Sequence, residues 1–258
     1  MNELTRITFI GTGSGKAALN RFHSSFIIDH HAFRLLVDAG DSVSRALLKS
    51  GIDFNSIDGI ILSHFHPDHI SGLPSLLIQM KMSKRKTPLK IFLHNTLFED
   101  LRRLLVKTYV IPDRLNFDLE FIKYEFESEF IIQDDFKIRA VQNSHLDKYE
   151  YFVKSEKISL ASSSFIFSLS GKKVCYTGDL GDENDLNLLD EVKIDVFISE
   201  TTHIEPGQIV KTAEDYKSAI VVFTHISEEA EKNIASFVQN HTGKPAILTA
   251  FDGMELVL

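Results

Sequence analysis

The stretch Ile61-Leu-Ser-His64-Phe-His66-Pro-Asp68-His69-Ile-Ser-Gly72 decides how the rest of the chain is read. Three imidazoles and a carboxylate fall within six residues, and these are the donor types that hold zinc and similar borderline metals. Alternate residues of an extended segment point the same way, so His64 and His66 can present their rings to one ion. Asp68 and His69 come at the next turn, where an apolar helical pattern begins, and can face a second ion. Four unrelated surface residues would imply nothing, but such tight packing of donors behind an apolar strand is a metal-site pattern.

A short motif cannot complete two coordination shells, so further ligands must come from strand ends or loops elsewhere. Three segments end an apolar run in a ligand-type residue: Ala140-Val-Gln-Asn-Ser-His145, Val174-Cys-Tyr-Thr-Gly-Asp179 and Ile220-Val-Val-Phe-Thr-His225. Each reads as a strand running into a loop, where a scaffold places site residues. His23, His30, His31, His94, His203 and His241 lack that combination of context and company. His30 and His31 sit in a hairpin-turn pattern and His241 lies near a helix end before Gly243, so turn and surface roles are expected for those three.

Together these residues resemble the metallo-β-lactamase superfamily, whose shared pattern is His-x-His-x-Asp-His, then a later His, a later Asp and a final His. The resemblance runs from the first strand to the C-terminus. It implies that His64, His66 and His145 hold one metal, that Asp68, His69 and His225 hold a second, and that Asp179 bridges both. It further implies an α/β (α+β) fold, the four-layer αββα sandwich in which two mixed sheets are flanked by helices. Gly11-Thr-Gly-Ser-Gly15 followed by Arg21-Phe-His-Ser-Ser25 is similar to the glycine-rich opening of ribonuclease Z and its phosphodiesterase relatives. Phe223-Thr-His-Ile-Ser227 and Ala250-Phe-Asp-Gly-Met-Glu255 resemble the closing motifs of that group. The Gly-His-Thr-x-Gly run of glyoxalase-type and lactonase-type members is missing around His145, which argues against a thioester or lactone substrate.

Two departures matter. Ribonuclease Z enzymes that process transfer RNA carry a long protruding arm between the third ligand and the bridging aspartate, whereas only 33 residues separate His145 from Asp179 here. Part of that interval, Ser162 to Val174, reads as a hairpin, so no full arm fits. The family's His-Glu-Ala-Thr segment, whose histidine helps to protonate the leaving group, appears as Ser199-Glu200-Thr201-Thr202. Serine takes the histidine's position, and nearby His203 is the candidate substitute, with Glu200 as its support.

The chain has 258 residues and 43% hydrophobic content, enough for a sizeable core. One compact domain over 1–258 is expected, with similar halves near 1–120 and 121–258. The one cysteine, Cys175, cannot form an intrachain disulfide and lies in an apolar strand pattern, so it reads as packing. No signal peptide or apolar run long enough to span a membrane is visible, so a soluble cytoplasmic protein is expected. A net charge of −8 disfavours indiscriminate nucleic-acid binding, which neutralises phosphates with lysine and arginine. Lys81, Lys84, Arg85, Lys86 and Lys90 form a basic stretch that reads first as a solvated loop and second as a phosphate contact.

Strands are predicted near 4–10, 24–29, 33–38, 58–62, 90–93, 119–123, 136–142, 163–169, 173–177, 195–199, 220–224 and 246–250. Helices are predicted near 42–50, 70–83, 96–108 and 228–240, with a short one near 212–218. In the helix near 228–240, Ser227 is the expected N-cap and Ala230, Ile234, Phe237 and Val238 share one face. The chemistry expected is that of a dinuclear metallohydrolase. Two divalent ions, zinc first and manganese or iron as alternatives, generate a bridging hydroxide near neutral pH that attacks a phosphodiester, an RNA 3′ end or a small nucleotide. Asp68 orients or deprotonates the attacking water, while Glu200 and His203 assist departure of the leaving group. The rival readings are a small or cyclic nucleotide phosphodiesterase and a non-catalytic metal-dependent binding protein; a homodimer is compatible with any of the three.

Overall fold

The computed structural model describes residues 5–133, 135–187 and 193–258. It divides into two compact units. Unit 1 comprises 1–12, 19–125 and 252–258, and unit 2 comprises 13–18 and 126–251.

In unit 1 the chain forms β1 (Arg6–Gly11), β2 (Ser25–His30), β3 (Phe33–Val37), α1 (Val43–Lys49), β4 (Gly59–Ile61), α2 (Pro67–Ile70), α3 (Leu73–Met82), β5 (Leu89–His94), α4 (Phe98–Lys107) and β6 (Leu119–Tyr124). Unit 2 holds β7 (Glu129–Gln133), β8 (Phe136–Gln142), α5 (Val153–Glu156), β9 (Ser163–Leu169), β10 (Lys172–Tyr176), β11 (Val196–Glu200), α6 (Pro206–Asp215), β12 (Ile220–Thr224), α7 (Glu231–Asn240) and β13 (Ala246–Thr249). The chain then returns to unit 1 for β14 (Glu255–Val257). Each unit has one mixed seven-stranded sheet, ordered β14-β1-β2-β3-β4-β5-β6 in the first and β7-β8-β9-β10-β11-β12-β13 in the second. Read in that order, both sheets have three antiparallel pairings followed by three parallel ones. Parallel strands need covered faces, and helices supply the crossovers in both units.

The apolar runs explain these sheets. Ile7, Phe9, Ile27, Leu35, Val37, Ile60 and Ile91 of unit 1 are wholly buried, as are Phe136, Phe165, Phe197 and Phe223 of unit 2. The hairpin between β9 and β10 turns on Ser170 and Gly171, both at positive φ, which is the two-residue turn whose twist suits a hairpin. Cys175 is buried, and burial pushes its thiol pKa up, consistent with packing.

Several expected elements shift. The strand predicted near 4–10 begins at Arg6, and residue 4 lies outside the described residues. The helix predicted near 70–83 is two helices, α2 and α3. Between them the Gly72 amide donates to the Ala39 carbonyl at 3.0 Å instead of into the helix, and Pro74 in the first turn of α3 has no amide to continue the ladder. The short helix predicted near 212–218 instead starts at Pro206, whose fixed φ suits a first turn. Helix α7 begins at Glu231. Ser227 caps the turn before it, accepting from the Ala230 amide at 3.2 Å, while Ala230, Ile234, Phe237 and Val238 pack on the core of unit 2. His30 differs from its expected surface role, being fully buried with Nδ1 2.7 Å from the Thr5 hydroxyl. Arg85 also leaves the basic stretch. Its side chain is buried and donates to the carbonyls of Thr87, Asn55 and Pro88 at 2.8, 3.2 and 2.7 Å, whereas Lys84 and Lys86 remain exposed.

Candidate metal centre and its supporting residues

Unit 1 presents the motif where β4 gives way to α2. His66 takes an extended conformation at the N-cap and Pro67 sets the first turn, so the backbone changes from strand to helix between His66 and Asp68. His64 and His69 are fully buried, and Asp68 is buried beside them. The His64 ring lies 4.8 Å from that of His66 and 4.2 Å from that of His69, centroid to centroid. His64, His66, Asp68 and His69 thus lie together where β4 ends.

Asp38 organises these rings. Completely buried and at positive φ, it follows β3 and accepts from the Ser63 amide and hydroxyl at 2.7 and 2.8 Å. The His69 Nδ1–H donates to its other available lone pair at 2.8 Å. Because the Ser63 hydroxyl proton goes to Asp38, that hydroxyl oxygen accepts from His64 Nδ1–H at 3.0 Å. Both rings therefore carry their proton on Nδ1 and turn the Nε2 lone pair outward, the tautomer an Nε2 metal ligand needs. Gly40 is obligatory here: a Cβ would stand 2.1 Å from the Asp68 carbonyl oxygen.

Unit 2 presents His145 after β8, Asp179 after β10 and His225 after β12, all buried. His145 Nδ1–H donates to the Leu180 carbonyl at 3.2 Å. Thr202 performs the same service for His225: its hydroxyl donates to the His225 carbonyl at 2.9 Å and so accepts from Nδ1–H at 3.0 Å. The Nε2 atoms of His145 and His225 converge on Asp179 Oδ2 at 3.7 and 3.4 Å. These separations exceed a hydrogen bond and suit donors grouped around an ion. The glycine-rich loop adjoins this strand end, with Gly13 bridged to Ile226 and the Ser14 amide donating to the Ile226 carbonyl at 3.3 Å.

Glu200 is fully buried at the end of β11. Its carboxylate accepts from His203 Nδ1–H and the His203 amide, both at 2.9 Å, from the Leu180 amide at 3.3 Å and from the Thr202 amide. These donors make Glu200 an anchor for its neighbours. The bond to Glu200 is the main cause of a raised His203 pKa, opposed by burial. The His203 ring lies 5.0 Å from that of His145 and 6.5 Å from that of His225. A cleft of about 320 Å³ in unit 2 is lined by Ser144, His145, Lys148, Gly181, Asp182 and His203 among others. Asp38, Thr202 and Asp185, which buttress the candidate ligands, were not visible in the sequence, because their role depends on contacts between distant segments.

Two mixed seven-stranded sheets flanked by helices, with buried histidines and aspartates at their strand ends, define a protein of the metallo-β-lactamase fold. Residues 5–242 match the family described as Anti-Pycsar protein Apyc1, and the chain belongs to that family. The chain is also similar to the metallo-β-lactamase fold protein YhfI of Bacillus subtilis, with a TM-score of 0.78 and 19% identity over 99% of this chain and 100% of that one. A second structural relative is the short form of human tRNase Z, with a TM-score of 0.70 and 22% identity over 97% of this chain and 98% of that one. By sequence, the ribonuclease Z of Agathobacter rectalis is 29% identical over 139 residues, 54% of this chain and 45% of the relative. The chain thus spans about half the length of the curated relative it matches.

Proposed function

We propose that the protein is a metal-dependent phosphodiesterase of ribonuclease Z-like type, acting on small phosphodiesters, cyclic nucleotides among them, in preference to folded transfer RNA. His64, His66, His145 and Asp179 would hold one divalent ion, and Asp68, His69, Asp179 and His225 the other, with zinc the first candidate for both. The observation that carries this reading is the ring geometry: His64, His69, His145 and His225 each hold Nδ1 within hydrogen-bond distance of a protein oxygen, which leaves Nε2 for an ion. All ligands are imidazole or carboxylate, so zinc, manganese and iron all suit the donor chemistry. Bound divalent ions would make water acidic enough to attack at neutral pH and would offset charge growing on the phosphoryl oxygens.

The chain's own groups do the rest. Asp68, beside His69 with its Oδ2 3.5 Å from Nε2, orients the attacking water and receives its proton. His203, held as a proton donor by Glu200, protonates the departing oxygen. Preference for a small diester is supported by how the His145–Asp179 interval is used. A 3-10 segment at Asp147–Phe152, α5 and the β9–β10 hairpin consume it, so no arm projects from there to contact remote RNA phosphates.

Metal analysis of the purified protein, followed by turnover of bis-p-nitrophenyl phosphate, a cyclic nucleotide and a precursor transfer RNA, tests the proposal. Metal-dependent turnover with a higher kcat/KM for a small diester is expected. Efficient 3′ cleavage of the precursor RNA by the isolated protein would restore the ribonuclease reading, and metal-loaded protein inert on all three would favour a binding role.

A further inference from the structure

We propose that Asp185 is a positioning residue that locks the loop carrying His145 to the loop carrying Asp179, and thereby sets the affinity with which the ligand set containing His145 and Asp179 holds its metal. This rests on the metal-site reading above. Asp185 lies in the 3-10 segment Glu183–Asn187, is 8% exposed, and is neither a candidate ligand nor in the cleft lining. Its carboxylate accepts from the Ser144 amide with both oxygens at 3.1 Å, from the Ser144 hydroxyl at 2.9 Å and from the Gly181 amide at 2.7 Å. Ser144 immediately precedes His145, and Gly181 is two residues beyond Asp179.

The two loops are also in direct contact. A Cβ at Gly181 would stand 2.2 Å from the Ser144 hydroxyl and 2.7 Å from its carbonyl carbon, so only glycine allows the approach. His145 Nδ1–H then reaches the Leu180 carbonyl, which lies between Asp179 and Gly181. The Asp185 carboxylate therefore acts through Ser144 and Gly181 to fix both the tautomer of His145 and its 3.7 Å separation from Asp179. A buried carboxylate bonded by three donors makes strong charge-assisted bonds. An amide in its place loses the negative charge and, whichever way it turns, sets an NH₂ group against the Ser144 amide, which bonds both oxygens of the carboxylate.

The test compares wild type, Asp185→Asn, Ser144→Ala and His145→Ala for zinc affinity by chelator competition. Melting of the metal-free proteins is measured alongside. Asp185→Asn should weaken zinc binding on the order of 10–100-fold, the range seen when support of a ligand is lost, while the metal-free variant melts somewhat lower but still cooperatively. Wild-type affinity in Asp185→Asn overturns the inference while leaving the metal site intact. Should Asp185→Asn fail to fold, Ser144→Ala decides: several-fold weaker binding supports the lock and an unchanged affinity refutes it. Zinc-free behaviour of the wild type, matched by His145→Ala, instead defeats the metal reading. Long-range ¹H–¹⁵N NMR of His145 in the metal-free protein then decides the inference, which stands if Asp185→Asn loses the Nδ1-protonated tautomer and falls if that tautomer persists.

Discussion

A diester with a poor leaving group needs a proton as the P–O bond breaks, whereas p-nitrophenolate departs readily without one. His203→Ala should therefore lower kcat by about 10²–10⁴ for a nucleotide diester, the usual contribution of a positioned acid, and much less for bis-p-nitrophenyl phosphate. Equal losses on both substrates would assign His203 a structural role. The pH dependence follows from Glu200, whose bond raises the His203 pKa above the ordinary imidazole value of 6.5. A step that needs the imidazolium proceeds below the raised pKa and is lost as pH climbs through it. Glu200→Gln removes the principal cause, so the alkaline limb of kcat should move to lower pH; a limb that stays put belongs to another group. Asp68→Ala should abolish diester hydrolysis with the fold retained, and turnover unchanged with metal still bound would remove Asp68 from the mechanism.

At the scale of elements, Arg85 separates charge from function. Its guanidinium closes the turn after α3 by bonding three carbonyls, so Arg85→Met should destabilise the protein by about 2–3 kcal/mol, given that buried acceptors lose a charged donor, without changing kcat/KM on a small diester. Denaturant unfolding and a rate assay decide that. Ile234→Ala should cost about 2–5 kcal/mol, because the residue is buried against the core of unit 2. The long apolar strands and the amphipathic face of α7 were legible because burial imposes a period on the sequence. Strands β7 and β14 were not: each is a short edge strand with partly exposed side chains and no lasting alternation. The break between α2 and α3 was announced by Gly72 and Pro74, a local signal that the reading of one helix over 70–83 passed over. The same distinction holds at the site, where ligand-type residues stand out by chemical type. Asp38, Ser63, Thr202 and Asp185 are ordinary residues until folding brings them under a ligand.

For the whole molecule, metal linkage makes a quantitative prediction. An ion that binds only the folded chain adds about 2.7 kcal/mol when present at 100 times its Kd, so dialysis against a chelator should lower Tm and restoring zinc should recover it. Identical Tm with and without metal would separate the ions from folding. The two sheets share one pairing pattern, yet they differ in how the chain completes them. Unit 2 is assembled from β7 to β13 in sequence order, each strand beside the last. Unit 1 waits for β14, which pairs Val257 with Arg6, and for Asp252, which accepts from the amides of Thr12 and Phe22 at 3.0 and 2.8 Å. During synthesis the sheet that begins first is consequently finished last. A nascent chain that stalls before residue 252 carries a β1 edge with no partner on that side, and open strand edges are where chains join one another, so chains halted there should aggregate through unit 1.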